Sequence, residues 1–140
     1  MYNFTTDLIV GFPGETENDF QDSIDVIKDV GFSHVHTFRY SPRPGTAAAE
    51  MPDQVPESVK RRRSREVIAL YTRQKMDYYR KFDGMGSIFL SERFRRGFTS
   101  GFNEYYVPVG VPEPLARNQF YAIQTVLDEK NFRLNGTVCR

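Results

Sequence analysis

The chain has 140 residues, 39% of them hydrophobic, and a formal net charge of +1; this is apolar material for one moderate core or two small ones, and it excludes disorder and collagen-like repetition. No apolar run approaches the roughly 20 residues of a membrane-spanning helix and no basic-then-apolar leader opens the sequence, so a soluble, cytoplasmic protein without a membrane partner is expected. A single cysteine, Cys139, excludes a disulfide framework and any multi-cysteine metal or cluster site built from this chain alone.

The near-neutral total conceals an asymmetry. Residues 1–58 carry 3 basic against 10 acidic side chains, residues 59–96 carry 12 against 4, and residues 97–140 carry 4 against 4. A polyanionic partner would meet the central segment first.

In chain order, Thr5 to Phe12 reads as a buried strand, its run Leu8-Ile9-Val10 bounded by the turn residues Pro13 and Gly14. Thr16 is a helix N-cap with Asp19 three residues on. Phe20, Ile24, Ile27 and Val30 then recur at helical spacing until Gly31 ends the helix. Ser33 to Tyr40 alternates as a second strand and stops in Ser41-Pro42-Arg43-Pro44-Gly45-Thr46, too rich in proline to continue a ladder. Strand, helix, strand at this spacing is a parallel βαβ unit. Pro52 to Pro56 reads as a linker, and Pro56 fits the first position of a long helix to about Phe82, with Val67, Leu70, Tyr71, Tyr78 and Phe82 as its apolar stripe. Lys60, Arg61, Arg62, Arg63 and Arg65 crowd its first half, where cations oppose the helix dipole. After Gly84 and Gly86, the stretches 88–92, 102–109, 120–127 and 132–138 read as β-type, giving a small antiparallel barrel or sandwich of about 55 residues. The expected organisation is therefore residues 1–55, a helix over 56–83, and a β-domain over 84–140.

Three blocks resemble one family. Asp7-Leu8-Ile9-Val10-Gly11-Phe12-Pro13-Gly14-Glu15-Thr16, His36-Thr37-Phe38-Arg39-Tyr40-Ser41-Pro42-Arg43-Pro44-Gly45-Thr46 and Met51-Pro52-Asp53-Gln54-Val55-Pro56 match, in order and spacing, blocks of the radical S-adenosylmethionine (SAM) methylthiotransferases that modify tRNA. Gly101-Phe102-Asn103-Glu104-Tyr105-Tyr106-Val107-Pro108-Val109 is similar to a "G-Y-T-E-N-Y-V-P-V" block of the branch acting on threonylcarbamoyladenosine, with Asn103 and Tyr105 departing from it. The resemblance implies an α+β chain corresponding to the C-terminal portion of such an enzyme: the last βα elements of a TIM-type radical SAM barrel, a long linking helix, and a small antiparallel TRAM-type β-barrel that binds RNA. It implies SAM and 4Fe-4S clusters in the parent enzyme, none held stably by this chain, which lacks the family's cluster cysteines and is expected to be inactive alone. The parent reaction implied is replacement of a C–H bond at carbon 2 of an adenosine beside the anticodon by a methylthio group.

The loop Gly11, Phe12, Pro13, Gly14, Glu15, Thr16 lies at a strand's carboxyl end and a helix start, where its backbone N–H groups could be offered to an anionic or polar ligand. The plainer reading is a tight strand-to-helix turn. The resemblance implies SAM contact there and substrate contact at Tyr40, Ser41, Arg43 and Thr46. Arg43, between two prolines, could be held ready for a phosphate or carboxylate, or could simply be solvated. His36 reads as a satisfied buried histidine. Lys60, Arg61, Arg62 and Arg63, with Arg93, Arg95, Arg96, Tyr105 and Tyr106, are the expected RNA contacts, since crowded cations are relieved by phosphates and exposed rings stack on bases. No catalytic residue and no metal ligand is expected in the chain. The expected partners are tRNA, at its anticodon stem-loop, and the remainder of the parent chain, with self-association through the open edges of residues 1–50. The alternatives are a stand-alone RNA-binding module and the related branch that methylthiolates a ribosomal protein.

Overall fold

In the computed structural model, which describes residues 2–139, Thr5–Val10 forms β1 and His34–Arg39 forms β2, paired in parallel from Thr5 opposite His34 to Val10 opposite Arg39. Between them runs α1, Glu17–Val30. Its start is fixed by a reciprocal cap in which Asp19 N donates to Thr16 Oγ1 and Thr16 N to Asp19 Oδ2. Its end is Gly31 in the left-handed region. Phe20, Ile24 and Ile27 of α1 pack with Val10, Val35 and Val67 into one core, edged by Leu8, Phe32, Leu70 and Tyr71.

Because α1 and the following long helix cover the same face of the two strands, β1 is buried on one side only. Ile9 and Phe38, side by side in the register, are each 54% exposed, and His36 on that face is exposed as well. This corrects the expectations of a fully buried β1 and a buried His36.

A short helix α2, Ala47–Glu50, precedes α3, Glu57–Arg80. The carbonyl of Pro56 accepts from Lys60 N at 3.1 Å, so Pro56 is the capping residue rather than the first helical one. The described residues divide into two compact units, one of Phe4–Lys75 and one of residues 2–3 and 76–139; α3 contributes to both.

The second unit is a closed five-stranded barrel, with strands β3 (Gly86–Arg95), β4 (Phe98–Asn103), β5 (Pro108–Val111), β6 (Phe120–Asp128) and β7 (Arg133–Val138) in the order β3-β4-β5-β7-β6. Closure leaves no edge to be paired. Phe89, Val107, Val109, Val111, Ile123 and Leu134 fill it, joined by Tyr78, Tyr79 and Phe82. Two expectations are corrected here. The stretch 102–109 is not one strand, because a turn held by Asn103 divides it into β4 and β5, and the barrel is not wholly antiparallel, since β5 and β7 pair in parallel. β3 and β4 are joined by Arg96 (φ 53°) and Gly97 (φ 83°), the doubly left-handed pair whose twist suits a two-residue hairpin.

Candidate ligand pocket and nucleic-acid interface

In the Phe4–Lys75 unit the loop after β1 is tied up from within. Glu15 Oε2 accepts from the N–H of Gly11 and, at 3.1 Å, from that of Phe12. Gly14 N donates to Asp53 O, Glu15 N to Phe12 O and Thr16 N to Asp19. Pro13 has no N–H. Every backbone donor from Gly11 to Thr16 is thus engaged, and the loop is not the open anion cradle that its position suggested. Its own glutamate occupies the place of the anion.

That glutamate is secured by α3. Arg63, 3% exposed, lies with Nη1 3.2 Å from Glu15 Oε1 and donates at 3.2 Å to Glu15 O, while its Nη2 meets Glu17 Oε2 at 3.1 Å. Lys60, 6% exposed, donates from Nζ to Tyr40 O at 3.0 Å, and its ammonium stands 5.1 Å from the Tyr40 ring centroid. Its stem crosses Gly11 so closely that a Cβ there would lie 2.4 Å from Lys60 Cγ, and Gly11 has φ 73°; only glycine meets both demands.

The cation run is therefore not one solvated face. Lys60 and Arg63 point inward. Arg62 pairs with Glu17 at 2.6 Å and with Glu66 at 3.6 Å, and Arg61 approaches Glu57 at 3.6 Å. Hydrogen bonds from Arg62 and Arg63 hold the Glu17 carboxyl below the usual glutamate range. The acidic front half of the sequence thus relieves charges that were assigned to phosphates, and Arg61, Arg62 and Arg65 remain the exposed members of the run.

Beside this frame lies a cavity of 430 Å³ lined by Ile9, Phe12, Phe38, Tyr40, Ser41, Arg43 and Thr46, among others. All four expected substrate residues meet there, with Phe12 of the neighbouring loop. Phe12 and Tyr40 pack edge to face at 5.2 Å. The Arg43 carbonyl accepts from Thr46 N and, at 2.8 Å, from Thr46 Oγ1, which closes the turn. Tyr40 Oη is buried with no hydrogen-bond partner among the described residues, an acceptor and donor whose desolvation is uncompensated there. Apolar and aromatic walls with two hydroxyls, of Ser41 and Thr46, and the Arg43 guanidinium suit a flat heterocycle carrying a polar or anionic substituent. Ile9 and Phe38 escaped the sequence reading as lining residues, although Phe38 shares its alternation face with Tyr40.

In the barrel unit Arg93, Arg95 and Arg96 are exposed, at or near the β3–β4 hairpin tip, and none has an ion-pair partner among the described residues. The two adjacent tyrosines separate. Tyr105 is partly buried against Phe82, 5.0 Å between ring centroids, and serves the core. Tyr106 is 77% exposed.

No family model matches the chain. It is similar to tRNA methylthiotransferases. The threonylcarbamoyladenosine tRNA methylthiotransferase MtaB of Thermotoga maritima is 43% identical over 107 residues, 76% of this chain and 25% of that protein. A tRNA-2-methylthio-N(6)-dimethylallyladenosine synthase of Mycobacterium marinum is 50% identical over 80 residues, 57% of this chain and 15% of the relative, and one of Corynebacterium urealyticum is 59% identical over 69 residues, 49% and 13%. The likeness to tRNA methylthiotransferases holds over the residues matched. The matches take in between 13% and 25% of the length of these relatives.

Proposed function

We propose that this chain is the part of a tRNA methylthiotransferase that walls one side of a nucleoside pocket and grips the tRNA, with N6-threonylcarbamoyladenosine beside the anticodon as target. The observation that carries the RNA half is the hairpin tip: a tight turn displays Arg95 and Arg96 to solvent without ion-pair partners among the described residues, next to Arg93. The match to the threonylcarbamoyladenosine enzyme, which extends over 76% of the chain, favours that nucleoside. The higher identities, 50% and 59%, to dimethylallyladenosine enzymes favour a second reading in which N6-dimethylallyladenosine is the target.

In this proposal β1, α1 and β2 belong to a larger parallel sheet of TIM type, the barrel is of TRAM type, and the bare face bearing Ile9 and Phe38 is covered by other parts of the parent protein or, in the isolated chain, by a second copy. The donor set here does not fit an iron-sulfur cluster, since the one cysteine, Cys139, is exposed and stands alone. The 430 Å³ pocket fits the adenosyl group of SAM or the target adenosine, with Phe12, Phe38 and Tyr40 against the ring system and Arg43 toward an anionic group. When bound in the parent enzyme, SAM and the clusters supply the radical and sulfur chemistry. This chain's residues position: Lys60 and Arg63 hold the two loops, and Glu15 consumes amides that would otherwise need water.

Fluorescence anisotropy on anticodon stem-loops carrying either modified adenosine tests this. Affinity should fall steeply with salt, and the Arg95→Ala/Arg96→Ala variant should bind more weakly with a salt slope lower by about one unit per lost phosphate contact. Equal affinity of variant and wild type at low salt would overturn the basic RNA surface. Preference for the dimethylallyl stem-loop would select the second reading.

A further inference from the structure

We propose that the outer face of β3, β4 and β6 is a stacking platform for unpaired nucleobases, separate in its physics from the arginine hairpin; the proposal rests on the RNA reading above and specifies which RNA the barrel takes. On a solvent-facing antiparallel ladder the outward positions are ordinarily polar. Here they are not. Leu90 of β3 stands opposite Phe102 of β4 on one side and Phe120 of β6 on the other, so three apolar side chains form a row across three strands, with Ile88 two residues along. Phe120 is 73% exposed, Ile88 45% and Phe102 37%, while the alternating Phe89 and Ser91 fill the interior at 0%. The row is thus no part of the barrel core.

Tyr106 extends it, 5.9 Å from the Phe102 ring, and its placement is enforced. The side chain of Asn103, 5% exposed, accepts from Tyr105 N at 3.0 Å and Val107 N at 2.8 Å and donates to Ser87 Oγ at 3.1 Å. The turn so closed leaves Tyr106 at φ 58°, a conformation costly for a residue with a Cβ and retained where surroundings over-determine it. A buried amide therefore fixes a strained turn whose main visible product is one ring held out in water.

Charge selects the occupant. Beyond Leu90, β3 continues outward into Arg93 and Arg95, and Arg117 lies three residues before Phe120; all are exposed without ion pairs among the described residues. The depression between the rings, 180 Å³, is edged instead by Glu92 and Glu104, the latter anchored by Ser87 Oγ and Ile88 N. An acidic edge repels a phosphate backbone lying over the rings, whereas cations at the periphery attract it. The arrangement fits bases turned onto the platform with their phosphates displaced toward the arginines. Two strand intervals, about 10 Å, separate Phe102 from Phe120, so each ring can take its own base.

The test uses the full chain and a short single-stranded RNA carrying 2-aminopurine, with a duplex of the same length beside it. Stacking on the platform should change the fluorescence of the probe on binding. Phe120→Ala and Tyr106→Ala, both at exposed positions, should weaken single-strand binding roughly tenfold each with an unchanged salt slope, Phe120→Tyr should retain affinity, and duplex binding should not respond. If single-strand affinity is unchanged in both alanine variants while Arg95→Ala/Arg96→Ala still weakens it, the platform is refuted and the RNA surface stands. Equal losses on single strand and duplex refute base stacking, and a self-association lost in Phe120→Ala that RNA does not displace assigns the face to a second copy. Absence of any RNA binding at low salt removes both readings.

Discussion

Replacing Arg63 with Met decides whether the cation run on α3 is framework or interface. Arg63 is 4% and Glu15 14% exposed at the side chain, so the pair is largely withdrawn from water. The variant leaves the Glu15 carboxylate with two amide donors and no cation, strips the donor from Glu15 O, and loses one of two guanidinium contacts to Glu17. Breaking a buried pair by removing one partner costs about 3–5 kcal/mol; the contact to Glu17, whose side chain is 61% exposed, adds less than about 1 kcal/mol. The Phe4–Lys75 unit should lose about 3 kcal/mol, read by urea unfolding together with hydrogen exchange at the amides of residues 11–16, which should open. Arg63→Met combined with Glu15→Gln should recover part of the loss, because no carboxylate is then left without a cation, and Arg61→Met should cost under about 0.5 kcal/mol as an exposed site. Wild-type stability in Arg63→Met with those amides still protected would refute the framework reading and return Arg63 to the phosphate-binding surface.

Asn103→Ala should destabilise the barrel by roughly 1–3 kcal/mol in denaturant, since it strips the acceptor from Tyr105 N and Val107 N; a smaller loss with the 103–107 turn unchanged in exchange would show that the amide does not hold it. His34 is held below the ordinary histidine value of 6.5, first by burial and then by His36 and Lys75. Its proton is bound more weakly in the fold than in the unfolded chain, so its contribution is complete above pH 6.5 and is lost as pH falls through the lowered value. The urea midpoint should decline below pH 6.5, ahead of the carboxylates, and decline less in His34→Gln; parallel profiles for the two proteins would contradict this.

What could be read from the sequence was local. The cap formed by Thr16 and Asp19, the left-handed Gly31, the parallel strand-helix-strand order and the stop at the proline-rich loop each depend on backbone chemistry within a few residues. The loop residues Tyr40, Ser41, Arg43 and Thr46 were identifiable as a group, and they do line one cavity. Tertiary packing alone decided direction. Helical spacing puts Lys60 and Arg63 on one side of α3, but only the docking of that helix over the loop after β1 turns that side inward, Arg63 toward glutamates 46 and 48 residues earlier in the chain and Lys60 toward the carbonyl of Tyr40. Tyr105 and Tyr106 are neighbours of nearly the same chemistry, and which one packs and which one faces water was settled by the buried amide of Asn103 and by barrel closure. A side chain's type sets what it can bind; whether it is free to do so depends on partners distant in sequence, and no local pattern encodes these.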